Sequence, residues 1–205
     1  MLGDGDEPER ERVVADVLQA GGLAVQWLRP EPGPGAIESA IHQAVRAAPD
    51  VLVLNLGAAS LDALSRVDGA LFKGLPALVA SLSTPGLTQL TRLLRSHTLG
   101  FTSSVPIPEI SQLPLVYEFD RDSDTYGSPE GLTFEGLAGY MHLRLCVEAL
   151  RRAGPKLEHD ALTRAIEALG EFSLGGFRVR FGPLQHHGSG FVELGLRTRD
   201  GRLRR

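Results

Sequence analysis

Pro49-Asp-Val-Leu-Val-Leu-Asn-Leu-Gly-Ala-Ala-Ser60 carries the first decision about the fold. Its apolar run, Val51 to Leu54, does not alternate with polar residues, and turn formers bound it. A strand with one wet face alternates, whereas a strand covered on both faces in a parallel sheet reads as an unbroken apolar run. Ile37 to Ala48, just before it, has the spacing of a helix, and so does Leu61 to Phe72 after it. Further on, Ala77 to Ala80 reads as a strand, Leu87 to Leu94 as a helix, and Leu99 to Ser104 as a last strand before Pro106 and Pro108. Toward the start, Val13, Val14, Val17 and Leu18 fall at helical spacing, and Gly21-Gly22 stops that helix. Leu23 to Leu28 is short and apolar and is read as a strand. In the loop Arg29 to Gly35, three prolines remove amide donors.

Helices and strands therefore alternate over residues 1–104. That order predicts an α/β fold, a Rossmann-like parallel sheet flanked by helices on both faces. Its strands are expected to centre on Val25, Val53, Leu78 and Phe101. The first helix begins almost at Met1, so this reading has no opening strand ahead of it.

The remainder reads differently. Ser111 to Asp122 is a candidate helix, Asp124 to Gly131 a turn-rich loop, and Thr133 to Ala153 the longest helical signal, ended by Gly154-Pro155. His159 to Leu169 is another helix. Gly175-Gly176 introduces two strand-like runs, Phe177 to Phe181 and Phe191 to Leu196, with Gly182 to Gly190 read as the hairpin connection between them. One of the two runs is expected to join or flank the sheet.

Composition narrows the function. The 205 residues are 42% hydrophobic and 22% charged, ordinary globular values, and suffice for a core without staples. A net charge of −4 gives no basic field for nucleic acid. Cys146 is the only cysteine, so no intrachain disulfide is possible. Its neighbours Leu143, Leu145, Val147 and Leu150 suggest a buried apolar filler. The N-terminal stretch has no apolar segment of the export-signal kind.

Few motifs carry chemistry. Gly57-Ala-Ala-Ser60 follows a strand and opens a helix, where backbone amides bind small anions. It lacks the glycine triplet of a dinucleotide site and the Gly-Lys-Ser/Thr ending of a P-loop, and a helix cap by Ser60 is the alternative. Ser81 and Ser83 follow the next strand, and in open α/β sheets ligands bind beyond the carboxyl ends of strands. Those hydroxyls suit either a ligand or the cap of the helix starting near Leu87. Asp120-Arg-Asp-Ser-Asp124 starts like a calcium loop, but Thr125 replaces the required glycine and Gly131 the required glutamate. His186-His187 has no further ligand at metal spacing. Gly-X-Ser-X-Gly does not occur. The expectation is no catalytic residue, no metal and no cofactor.

Several stretches together resemble one family. Leu132 to Gly154 is similar to the long helix of the type I periplasmic solute-binding proteins, the leucine/isoleucine/valine-binding class of ABC importers. Phe172-Ser-Leu-Gly-Gly-Phe-Arg-Val-Arg-Phe181, His187-Gly-Ser189 and Val192-Glu-Leu194 resemble its closing segment. Gly100 to Pro108 resembles its crossover between lobes, and Pro49 to Leu54 and Leu71 to Leu75 also fit. The resemblance covers nearly the whole chain but only the C-terminal half of the family. It implies a second-lobe α/β unit over 1–104, a crossover and helices of an incomplete first lobe over 105–175, and closing strands over 176–205. It also implies a small solute such as an amino acid, an ABC permease as partner and a periplasmic location. If the chain is complete as given, the missing export segment points instead to the cytoplasm. Ligand-binding positions carried over from the family fall near Gly57 and Ala58 and near Leu82 and Ser83; together with the strand-end rule they place a ligand near Gly57, Ala58, Ser81 and Ser83. The aromatic and acidic residues that leucine-type members place there are absent.

The leading expectation is thus a solute-binding module of an ABC-type importer of branched-chain or amide-like amino acids, in truncated form, and not an enzyme. The alternative is a ligand-free, self-associating or regulatory remnant; a small α/β enzyme ranks third. On a helical wheel, Thr133 to Ala153 is apolar around most of its circumference. With no first-lobe sheet to cover it, this helix is expected to pair two copies of the chain, or else to meet a separate partner.

Overall fold

The computed structural model describes residues 1–5, 8–31, 33–82, 86–127, 132–155 and 159–205. It divides into two compact units, one formed by Met1–Thr102 with Leu194–Arg205, the other by Ser103–Glu193.

The first unit is built on a six-stranded sheet in the order β1-β2-β3-β4-β7-β8. β1 (Leu2–Gly3), β2 (Val51–Asn55), β3 (Leu78–Ser81) and β4 (Thr98–Ser103) run parallel, with Leu2 opposite Leu54, Leu54 opposite Ser81, and Ser81 opposite Phe101. β7 (Glu193–Arg197) lies beside β4, and β8 (Leu203–Arg204) pairs with β7 antiparallel. Leu52, Leu54, Val79, Leu99 and Phe101 are all buried, as a covered parallel sheet requires.

Helices α1 (Pro8–Ala20), α2 (Ala36–Ala47), α3 (Ala58–Ser65), α4 (Gly69–Phe72) and α5 (Leu87–Leu93) make the connections. The span expected as one helix from Leu61 to Phe72 is two. Asp68 leaves the helical backbone (φ −56°, ψ 121°) and its carboxylate accepts from the Ala70 amide at 2.9 Å, so it starts a new helix as an N-cap. In α1 the buried positions are Glu11 and Ala15, and Val13 and Val17 face solvent.

Two corrections concern the sheet edge. An opening strand does precede α1: Leu2 is fully buried and pairs with Leu54. Two residues are too short to show any periodicity. Conversely, residues 23–28 do not form a strand centred on Val25. They make a single bridge, Leu28 to Leu2, because β1 offers so short a ladder to pair with.

The second unit holds α6 (Pro114–Tyr126), α7 (Phe134–Ala153), α8 (His159–Glu167) and the hairpin of β5 (Glu171–Leu174) and β6 (Phe177–Arg180). α6 starts at Pro114, whose fixed φ suits a first turn, and continues through the Asp124 to Tyr126 stretch expected as loop; residues 128–131 of that expected loop lie outside the described residues. The expected pairing of the Phe177 and Phe191 runs is also corrected. β6 pairs back onto β5 through Gly175-Gly176, both at positive φ (53° and 89°), the backbone of a two-residue hairpin turn. The later run, as β7, joins the sheet of the first unit. A Cβ on Gly175 would lie 2.6 Å from the Leu115 nitrogen, whose hydrogen donates to the Gly175 carbonyl at 2.9 Å. Leu115, Phe119, Leu137, Met141, Leu174 and Phe177 form the core where α6, α7 and this hairpin meet.

α7 is capped by Thr133, whose hydroxyl accepts from the Gly136 amide at 3.0 Å, and ends at Gly154 with φ 79°. It buries Phe134, Leu137, Met141 and Ala149, while Leu143, Val147 and Leu150 remain exposed. Cys146 is exposed with them and is not the buried filler expected from its apolar neighbours: of those, Leu145 packs against the core, while Leu143, Val147 and Leu150 are uncovered.

Candidate functional site

The carboxyl ends of the parallel strands bring Gly57, Ala58 and Ser81 into one neighbourhood. Gly57 caps α3 in extended conformation (φ −73°, ψ 174°), and Ala58 is the first residue of that helix. Ser60 therefore lies inside the helix and is not its cap. Ser81 closes β3, is buried, and sits in register with Leu54 on one side and Phe101 on the other. Ser83, the fourth expected position, lies outside the described residues.

Four residues not singled out in the sequence shape this edge. The Gly57 amide donates to Asp4 Oδ2 at 2.7 Å. The anion position at the start of α3 is thus held by a carboxylate of the chain itself, which also complements the positive end of the helix. Leu82 is pinned from three sides. Its amide donates to the Leu54 carbonyl at 3.1 Å, and its own carbonyl accepts from Arg10 Nη2 at 2.6 Å and from Thr102 Oγ1 at 3.2 Å. Behind these groups, Glu11 is buried completely; its Oε1 accepts from the Gly5 amide at 3.1 Å, and its Oε2 pairs with Arg29 at 3.3 Å. A buried carboxylate is tolerated only with such partners, and here they hold Gly5, just after β1.

The edge therefore holds Asp4 and Arg10, each bonded within the chain, beside a buried serine and oriented backbone groups. Such a set can hold a small polar molecule by hydrogen bonds. No nucleophile–base pair is among these groups.

The other motifs resolve into structure. Asp120 to Asp124 lies within α6, and Asp122 accepts from the Tyr140 hydroxyl at 2.7 Å and from Arg121. His186 Nε2 is 3.2 Å from Glu167 Oε1. Among the described residues no group of three or more His, Cys, Asp or Glu is placed to hold a metal ion. None of the described helices is long and apolar enough to cross a membrane.

No protein-family model matches this chain. No curated protein matches it. Solved structures do. A substrate-binding periplasmic protein from Ralstonia solanacearum aligns with 98% of this chain and 59% of its own, with a TM-score of 0.78 and 24% identity. A leucine-binding protein from Thermotoga maritima aligns with 99% of this chain and 57% of its own, at TM-score 0.76 and 15% identity. A possible leucine/isoleucine/valine-binding protein from Rhodopirellula baltica aligns with 92% and 52%, at TM-score 0.71 and 24% identity. At these identities the likeness is one of fold. The chain has the fold of the type I solute-binding proteins and spans between 52% and 59% of the length of these three.

Proposed function

We propose that this chain is a solute-binding module of the ABC-importer kind, not an enzyme, and that it takes a small amino-acid-like solute at the carboxyl ends of its parallel strands. The observation that carries this reading is the alignment of 98% of the chain with a substrate-binding periplasmic protein. The proposed site is formed by Gly57, Ala58, Ser81 and Ser83, with Asp4 and Arg10 beside them. The likeness to leucine-binding structures favours a branched-chain or amide-like side chain. A permease partner and a periplasmic location follow from the same reading, as does the view of the chain as part of a longer two-lobed binding protein.

Thermal shift against the proteinogenic amino acids tests the class, and titration of any hit against Ser83→Ala tests the site. A saturable shift that weakens in the variant is expected; equal binding by both removes Ser83 from the site.

A second reading rests on a separate observation. Leu143, Val147 and Leu150 lie exposed on α7, at 63%, 38% and 37% of their surface. Burying such a side chain from full exposure contributes about 1.5–3 kcal/mol, and covering these partly exposed ones contributes the corresponding fraction. Covering them in a two-fold homodimer is the self-associating alternative, and it is compatible with solute binding in the other unit.

A further inference from the structure

Five arginines and one aspartate fall between Leu194 and Arg205, in a chain whose formal charge is −4 overall. β7 brings this basic run along β4. The Gly195 backbone lies against the Phe101 ring, where a Cβ would collide, and a Cβ on Gly100 would sit 3.5 Å from Leu196. The turn after β7 is closed by the Thr198 amide, which donates to the Arg202 carbonyl at 2.9 Å, and by Gly201 at φ 78°. It ends beside His97, immediately before β4. Here Arg95, from the end of α5, converges with Arg197 and Arg199 on a cavity of about 300 Å³, with Leu94 and Leu99 among its lining.

The charges in this cavity do not cancel. Asp200, the acid in the lining, is committed to the Thr198 hydroxyl and to Arg202 Nε at 3.2 Å. Among the described residues neither Arg95 nor Arg199 has an ion-pair partner, and both are exposed. Burial lowers the pKa of His97, and the Arg199 guanidinium acts in the same direction, so the imidazole adds little charge of its own.

We propose that this cavity binds a phosphate-type oxyanion through Arg95 and Arg199, at the amino end of β4 and away from the strand ends proposed for the solute; Arg197, whose Nη1 donates to the Gly201 carbonyl at 3.2 Å, braces the turn between them. Guanidinium groups present planar forks that match tetrahedral oxyanions, and charge-assisted bonds of this kind are about twice as strong as neutral ones. The apolar floor of Leu94 and Leu99 excludes water from one side of the anion. The phosphate belongs either to a free phosphate monoester or to a phospholipid headgroup.

The test is titration of the full chain with inorganic phosphate, followed by NMR of the His97 and arginine side-chain resonances, with sodium chloride at matched ionic strength as control. Saturable binding is expected, weakened about tenfold or more by Arg95→Gln and by Arg199→Gln, since a hydrogen bond to a charged group is worth about 1.5–3 kcal/mol. Both side chains are exposed, so both variants should keep the parent melting curve. Co-sedimentation with phosphatidylcholine vesicles, with and without phosphatidic acid, separates the two sources. Pelleting on the acidic vesicles that is lost in both variants assigns the headgroup; phosphate binding without pelleting assigns the free monoester. A response to phosphate no larger than to chloride, or parent-like binding by both variants, overturns the proposal.

Discussion

The Asp4 carboxylate accepts the Gly57 amide at 2.7 Å across 53 positions of sequence. This one bond ties the turn after β1 to the start of α3. It satisfies the amide of the N-cap residue itself, the part that the N3 side chain plays in a capping box. Asp4→Ala is expected to lower stability by about 1–2 kcal/mol, the range for losing a cap or a charge-assisted bond. Asp4→Asn should recover much of that, because the amide oxygen still accepts. Urea melts of the three proteins decide; equal midpoints for parent and Asp4→Ala would show that the bond contributes nothing.

Glu11 offers a second check on the same turn. Its carboxylate is fully buried, and a Cβ on Gly3 would run into it. Glu11→Ala removes the acceptor of the Gly5 amide and leaves a void, so a loss of about 2–4 kcal/mol is expected from the two effects together. Gly3→Ala should destabilise as well, and should do so much less in the Glu11→Ala background, where the obstacle is gone. Additive losses in the double variant would contradict the contact.

The edge also shows how far the sequence reaches. Val51 to Leu54 announced a parallel strand by its unbroken apolar run, and the strand-end rule led from there to Gly57, Ala58 and Ser81. Asp4, Arg10 and Thr102 gave no such signal, because their contacts join residues far apart in the chain. β1 escaped for a different reason: two residues carry no periodicity. The β5–β6 hairpin is legible in the sequence. Glu171 to Leu174 and Phe177 to Arg180 flank Gly175-Gly176 at the two-residue spacing of a tight turn, while the Phe191 run offers a competing partner of similar composition. The split of α3 from α4 was likewise written in Asp68, a capping residue inside an otherwise helical stretch.

The α6–α7 contact gives a pH dependence. Hydrogen bonds, that from Tyr140 first and that from Arg121 next, hold the Asp122 carboxyl below the usual range. Burial, and then Asp122, raise the Tyr140 phenol. A lowered carboxyl stabilises above its unfolded pKa of about 3.9, and that stabilisation is lost as pH falls through the lower folded value. A raised phenol stabilises below its unfolded pKa of about 10, and loses this as pH rises through the higher folded value. The stability difference between parent and Tyr140→Phe should therefore be level near neutrality and shrink toward both extremes. Chemical denaturation across the pH range measures it, and a difference that does not change with pH would contradict the coupling.

The exposed stripe on α7 predicts association. Light scattering at micromolar concentration should find a dimer, and Leu143→Lys should return a monomer, since a buried lysine on the two-fold contact has no partner charge. A well-behaved monomer with no affinity for an apolar dye would remove the self-associating reading.

Amide NMR during titration with leucine and valine tests the central claim most directly. Solute binding at the strand ends predicts saturable shifts at Gly57, Ala58 and Ser81, with Asp4 and Thr102 following and the α7 amides unmoved. Shifts confined to other parts of the chain, or none at millimolar amino acid, would contradict it.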